Sequence, residues 1–480
     1  MSASDLNADI ICEIFTLLAH TDTPNARTLG WIRATHVCRR WRAVGLHLSF
    51  LWAGIVCAIP RAVNVVLARA RSSPLTFRCP DLLSYEDDRR LLHAASAHLH
   101  SIQVLANNPA SHAWLALFPG KTLPRLHTLH LNLTVLHDDV PSCAPINAPV
   151  LLSATFYGGK FLHINAPSLR SLSLLDQRVD VLHLLTVLRQ CPSIEELAIS
   201  SRTQTSSGLY ISDQDSIDQH TSIDLLNLRS FSLAASDPPC SVLMRKLFLA
   251  ERAHVDIIID GTDPGQELID AALASLTRCA RLPRLDTLVI KDDHSFLSLC
   301  LHPPSGYDQK HCVSGAKRRG LYVRIKRARE SAEAYAAGIA HVTRNVIELD
   351  ISDLCLHDTI IPIFRALPRV IAISSSFKAL DNIRRTLAMN SALFPELSTI
   401  KLHMHTLHSS TSSVRAWAEV VSVFQDNIDR GRHPLRLVRS WFNAPPPCPN
   451  KEHTSVLSRL SALGAKVFDE VPSFAALADI

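Results

Sequence analysis

Apolar positions along the chain change their period near residue 75. Before it they recur every three or four residues. Ile11, Ile14, Phe15 and Leu18 fall at i, i+3, i+4 and i+7, which predicts one apolar stripe along a helix. Asn7 is placed to cap that helix at Ala8, with Asp9 near the positive end of its dipole. A polar loop from His20 to Arg27, with Pro24 as breaker, ends it. A second helical pattern carries Leu29, Ile32, His36, Val37 and Trp41, and Leu51 and Trp52 close the unit. About 50 residues in three short helices do not easily bury all this apolar surface alone, so the surplus invites a partner helix.

Beyond residue 75 a different motif takes over. Pro-x-Leu-x-x-Leu-x-Leu recurs at Pro124 (Leu126, Leu129, Leu131), Pro167 (Leu169, Leu172, Leu174) and Pro192 (Ile194, Leu197, Ile199). It returns at Pro283 (Leu285, Leu288, Ile290) and Pro395 (Leu397, Ile400, Leu402). Leu99-Ile102-Val104, Leu228-Phe231-Leu233 and Val346-Leu349-Ile351 are copies without the proline. Leu151-Ala154-Phe156 after Pro149 is less apolar, and Val370-Ile373-Ser375 after Pro368 is degenerate. The last two apolar positions of each copy are two apart, as one face of a strand requires. The proline is expected to end a preceding helix. Helical stretches are predicted at 181–189, 267–281, 358–367 and 383–389.

Several copies are spaced 24–27 residues apart, a period that matches leucine-rich repeats. Gaps of 34 and of 57–61 residues imply insertions or degenerate units such as Val255 to Ile259, and the asparagine of a regular repeat is mostly absent. The expectation is therefore an α/β fold, an irregular solenoid resembling leucine-rich repeats, in which each unit buries its apolar face against its neighbours. An ordinary α/β domain of alternating strands and helices is the other reading.

The N-terminal pattern Leu6-x-x-Asp9-Ile10, Ile14-Phe15, Leu18, Val37-Cys38-Arg39-Arg40-Trp41-Arg42 and Leu51-Trp52 resembles F-box domains, especially the large fungal F-box-like family. Asn7 stands where that family usually has proline, and the loop after the first helix is longer than in the shortest members. The resemblance implies a three-helix module that docks onto the Skp-type adaptor of a cullin–RING ubiquitin ligase. Carried over position by position, Leu6, Ile10, Ile14, Phe15, Leu18, Val37, Trp41, Leu51 and Trp52 become the candidate interface or its supporting core. Ile11 and Val37 read equally as plain helical core. The implied division is an F-box-like domain over 5–57, a connecting helix or linker over 58–74, and the solenoid over 75–480.

Composition adds exclusions. Apolar content of 47% with 19% charge suits a globular chain, and 6% aromatics argues against a sandwich or barrel of aromatic strands. A net charge of +5 does not by itself imply nucleic acid. Twelve scattered cysteines with no Cys-x-x-Cys pair suggest free thiols in a reducing compartment, cytoplasmic or nuclear. The opening Met-Ser-Ala-Ser-Asp-Leu-Asn has no basic or long apolar leader pattern, so secretion is not expected. No run of about 18 apolar residues predicts a membrane span.

Candidate chemistry is sparse. Lys317, Arg318, Arg319, Arg324, Lys326, Arg327 and Arg329 form a basic run without an acid. It is read as a solvated strand and helix start, with a patch for an acidic partner, or an import signal, as the second reading. Cys300-x-His302 with His311-Cys312 has no standard zinc spacing and reads as loop residues. His403, His405 and His408 lack a nearby carboxylate or thiol in sequence, and Asp292-Asp293-His294 reads as a polar turn. No phosphate-cradling, zincin or nucleophile-elbow motif occurs, and glycine numbers only 15. No catalytic residue, cofactor or metal is expected. The reading is a non-enzymatic, substrate-recruiting adaptor that binds a Skp-type adaptor, the cullin of an SCF ligase and an unidentified protein substrate, with no membrane and no nucleic-acid partner. A scaffold with a relic F-box is one alternative. An enzyme or nucleic-acid-binding solenoid using 317–329 is another.

Overall fold

The computed structural model describes residues 6–25, 27–80, 83–107, 114, 117–118, 120–133, 145–159, 161–200, 209–212, 222–235, 239–250, 253–259, 271, 287–292, 296–302, 321–326, 346–351, 361–376, 384, 393–404, 410–429, 435–441 and 451–470. The chain divides into two compact units, residues 1–230 with 246–248, and residues 231–245 with 249–480. Each is an α/β fold on a mainly parallel sheet.

The first unit begins with helices. Helix α1 spans Ala8–Thr21, and the Asn7 side chain accepts from the Asp9 amide at its start. The predicted second helix is broken in two. Gly30–His36 is a 3-10 turn and α2 runs over Arg39–His47, with Cys38 extended between them. The segment is entered through Gly30, whose φ is +48° and where a Cβ would collide with the Asp22 carbonyl oxygen. Val37, at the break between the two pieces, is 55% exposed instead of joining the core, and Leu29 is exposed too. Short helices α3 (Ser49–Gly54) and α4 (Val63–Ala70) follow, then α5 (Tyr85–His98), whose Ser84 cap accepts from the Asp87 amide at 3.1 Å.

Six parallel strands come next, each paired with its predecessor in chain order: Leu75–Arg78, Ile102–Asn107, Thr128–Asn132, Ser153–Tyr157, Ser171–Leu175 and Glu196–Ser200. The inward positions match the repeated apolar pair. Leu129 and Leu131, Ala154 and Phe156, Leu172 and Leu174, Leu197 and Ile199 are all buried. One copy is displaced. The register shifts past Gln103, so Val104 is only half-buried and Leu105 takes the inward place opposite Phe77 and Leu129. A bulge moves every following side chain to the other face.

Helices stop just before Pro192 and Pro368, as expected, but the prolines also build turns. Pro124, Pro149, Pro167 and Pro192 each occupy the second position of a tight turn. The closing bonds run from Leu126 to Leu123, Leu151 to Ala148, Leu169 to Ala166 and Ile194 to Cys191, amide to carbonyl, at 3.0–3.3 Å. Proline's fixed φ suits that position. The turn drives the first leucine of each copy into the core, where Leu126, Leu151, Leu169 and Ile194 are fully buried. At Pro149 and Pro167 the preceding elements are two-residue strands, Ile146–Asn147 and Ile164–Asn165, which pair with each other. At Pro192 a helix precedes, Val181–Gln190.

A hydrogen-bond staircase joins the turns. The carbonyl of His127 accepts from the amides of Leu152 and Ser153. Leu152 accepts from Arg170 and Ser171, Arg170 from Glu195 and Glu196, and Glu195 from Arg229 and Ser230. One acceptor thus holds two donors at every step, which satisfies backbone groups that the turn takes out of the ladder.

The second unit repeats the device: Ile347 accepts from Ile371 and Ala372, and Ile371 from Ser398 and Thr399. Its strands Glu348–Asp350, Ala372–Ser376, Thr399–Met404, Arg436–Trp441 and Lys466–Glu470 are parallel neighbours. Leu349, Ile373, Ile400 and Leu437 align on the buried face. The degenerate copy still forms a strand, with Ser375 fully buried and its hydroxyl donating to the Ser376 carbonyl at 3.0 Å. One element departs from the expected order. Phe296–His302 lies antiparallel between Thr287–Asp292 and Leu321–Lys326, and the latter pairs in parallel with His254–Ile259. The long gap between the Leu285 and Val346 copies therefore contains two further strands. Of the helices predicted here, Ile361–Arg365 forms within 358–367, while 267–281 and 383–389 lie almost wholly outside the described residues.

Candidate docking surface on the N-terminal helices

Four aromatic rings organise the helical module. Phe15 meets Trp31 edge-on at 5.9 Å and Trp41 at 5.8 Å, and Trp31 meets Trp52 at 5.0 Å. The Trp52 indole donates to the Gly45 carbonyl at 2.9 Å, and the Arg69 guanidinium covers its outer face at 4.4 Å. Such pairs add to simple burial. Thr35 is buried with its hydroxyl on the Ile32 carbonyl at 2.7 Å, which spares the core an orphaned polar group.

This core sorts the nine candidate residues. Phe15, Trp41, Leu51 and Trp52 are buried within the module and support it. Leu6, Ile14 and Leu18 are half-buried. Ile10 is 46% exposed and Val37 is 55% exposed. Ile11, which carried no interface assignment, is fully buried. Leu17, absent from the candidates, is the most open at 66%. Its signal was in the sequence, since Ile10, Ile14 and Leu17 fall at i, i+4 and i+7.

The apolar arc of α1 is therefore wider than its own core covers. At about 100° per residue, Ile11, Phe15 and Leu18 define the inward side, and Ile14, Ile10 and Leu17 continue the apolar arc around to solvent. Burying a half-exposed leucine or isoleucine is worth about 1 kcal/mol, so a partner covering three of them gains about 3 kcal/mol from this helix alone.

The module is fastened to the sheet that follows. Helix α3 packs on the strand Leu75–Arg78, and Cys57 and Cys79 bring their sulfurs to 3.9 Å. The Cys79 thiol and burial together hold the Cys57 thiol well above its usual range.

The other candidates are not brought together among the described residues. Arg324 and Lys326 lie on the strand Leu321–Lys326, while Lys317, Arg318, Arg319, Arg327 and Arg329 are outside the described residues. Cys300 and His302 belong to the strand Phe296–His302, not to a loop, and His311 and Cys312 are outside the description. His403 is on a strand and Asp292 ends one, while His405, His408, Asp293 and His294 are not described. Among the described residues no three His, Cys, Asp or Glu side chains gather as metal ligands, and no helix is long and apolar enough to cross a membrane.

No protein-family model matches the chain, and no curated protein matches it.

Proposed function

We propose that this chain is a substrate-recruiting adaptor of an SCF-type cullin–RING ubiquitin ligase. The N-terminal helices act as an F-box that binds a Skp-type adaptor, and the strand repeats act as a solenoid resembling leucine-rich repeats that holds a protein substrate. The observation that carries the reading is the uncovered Ile10–Ile14–Leu17 stripe on a helix whose other face is already filled by Ile11 and Phe15. A second apolar group, Val37, stands open at the start of the Val37-Cys38-Arg39-Arg40-Trp41-Arg42 run. The chain makes and breaks no bond in this scheme. It raises the effective concentration of a substrate lysine near the charged conjugating enzyme.

The test is co-purification of the full chain with a Skp-type adaptor and a cullin. Wild type is expected to recover both. Ile10→Asp with Leu17→Asp is expected to recover neither while keeping the melting temperature, because both positions are exposed. Recovery of no adaptor by the folded wild type would sink the proposal, and recovery of adaptor without cullin would favour the scaffold reading. Trp41→Ala is a poor probe, since removing a buried indole costs about 3–5 kcal/mol and unfolds what it is meant to test.

A further inference from the structure

Charge is segregated along this chain. Residues 23–80 contain nine arginines, no lysine and no aspartate or glutamate. Of the chain's 49 lysines and arginines, that leaves 40 elsewhere against all 44 acidic residues. The modest overall charge hides a strongly cationic block on a slightly acidic remainder.

In the fold this block is α2, α3, α4 and the strand Leu75–Arg78. Arg39, Arg40 and Arg42 are exposed on α2, and Arg27, Arg61, Arg71 and Arg78 are exposed around the same module. Two arginines are accounted for. Arg33 pairs with Asp22 at 2.8 Å and Arg69 lies over Trp52. Arg39 and Arg42 reach no carboxylate among the described residues. Three acids of the following helix α5 are already engaged: Arg90 takes Glu86 at 3.4 Å and Asp87 at 3.3 Å, and the Trp114 indole donates to Asp88 at 2.8 Å.

This arrangement works against the isolated protein. Arg39 and Arg42 are like charges three residues apart on one helix. They stand in the first turn of α2, where the dipole disfavours cations, and no acid is there to offset them. An anionic partner would relieve both terms. Arginine without lysine favours planar, two-pronged recognition of carboxylate or phosphate. Two features favour a protein over a nucleic acid. Trp41, the aromatic residue of α2, is buried and gives bases no platform. Val37, two residues before Arg39, is open and suits an apolar contact, and arginine beside apolar surface is a protein-interface composition.

We infer that Arg39, Arg40 and Arg42, with Val37 beside them, form a docking surface for a carboxylate-rich protein segment that also carries an apolar side chain. The surface shares no residue with the Ile10–Ile14–Leu17 stripe, and although Val37 also supports the ligase reading, the inference does not depend on that reading.

The experiment is fluorescence anisotropy on the full chain with a labelled peptide of leucine and glutamate repeats. The comparison ligands are a single-stranded oligonucleotide of equal charge and vesicles of phosphatidylserine and phosphatidylcholine. The peptide is expected to bind more tightly than either. Changing Arg39, Arg40 and Arg42 together to lysine keeps the charge, loses the forked geometry, and is expected to weaken binding about fivefold or more. Changing all three to glutamate is expected to abolish it, and Val37→Asp to weaken it. Circular dichroism verifies folding, and the lysine variant decides the matter if the glutamate variant does not fold. Absence of peptide binding, equal or tighter binding of oligonucleotide or vesicle, or a lysine variant as good as wild type overturns the inference.

Discussion

Replacing Gly45 by alanine measures how closely α1 is seated on α2. Gly45 is buried inside α2, and by helix propensity alone alanine there is better by about 0.8–1 kcal/mol. Packing opposes this gain. A Cβ at Gly45 would lie 2.8 Å from Phe15 Cζ and 2.8 Å from Thr35 Cγ2, with Phe15 Cε1 at 3.2 Å. Carbon atoms rest at about 3.5–4.0 Å. Neither neighbour has room to retreat: Phe15 is fully buried between Trp31 and Trp41, and the buried Thr35 is tied to Ile32. Overpacking of this kind costs about 1–3 kcal/mol. Any backbone shift that relieves it also pulls the Gly45 carbonyl from the Trp52 indole, a bond of 2.9 Å worth about 1 kcal/mol. The strain wins, and Gly45→Ala is expected to lower stability by about 1–2 kcal/mol. Gly54, the last residue of α3, is the matched control. A Cβ there meets nothing within 4 Å and the backbone is not left-handed, so Gly54→Ala is expected to raise stability by about 0.4–1 kcal/mol through the unfolded chain. The assay is urea unfolding of the full chain followed by tryptophan fluorescence, to which Trp31, Trp41 and Trp52 of this core contribute. A stabilising Gly45→Ala, or equal shifts at the two glycines, would refute the described seating of α1.

Two further outcomes follow from the repeats. Leu169→Ala, at a fully buried turn position, is expected to cost about 2–5 kcal/mol in urea unfolding. Leu152→Ala, at a staircase position that is 39% exposed, should stay within about 1 kcal/mol, and similar costs at the two sites would contradict the assigned turn geometry. Burial pushes the Cys191 thiol up to about 11 from an ordinary 9.0. The fold therefore keeps a proton that the unfolded chain releases above pH 9. Its contribution is fully present below that value and is lost as pH rises toward 11. Alkylation of the native protein at pH 9, read cysteine by cysteine by mass spectrometry, should modify half-buried Cys12 and Cys38 well before Cys191. Equal rates would remove the assignment.

The sequence revealed positions better than directions or partners. Leu-x-x-Leu-x-Leu marked the buried face of most strands because alternation depends only on side-chain period. That same period is blind to strand direction, so Phe296–His302 could be read as apolar but not as antiparallel. Proline was ambiguous for a physical reason: one fixed φ serves both a helix stop and the second position of a turn. Spacing carried the missing cue. Only 18 residues separate Leu151 from Leu169, and after a turn and a five-residue strand the remainder suits the observed two-residue strand better than a helix. At the candidate site the apolar arc of α1 was legible, but which part of it the chain covers itself depends on Trp31 and Trp41, which arrive from later elements.

The helical module also has a structural duty that limits how its function can be probed. A parallel sheet leaves its first strand with unpaired backbone groups on one side, an edge prone to unwanted pairing. Here α3 packs on that first strand, Leu75–Arg78. Cys57 lies against Cys79 at the strand's end, and Arg125 donates to the Ser72 carbonyl just before it. Covering such an edge with a helix is one way proteins prevent that pairing. Deleting residues 1–57 would therefore remove the candidate docking helix and uncover a sheet edge together, and any lost partner would have two explanations. Substitutions at Ile10 and Leu17 change only the exposed side of α1 and leave Ile11, Phe15 and the cap intact. They separate docking from folding, which a truncation of this chain does not.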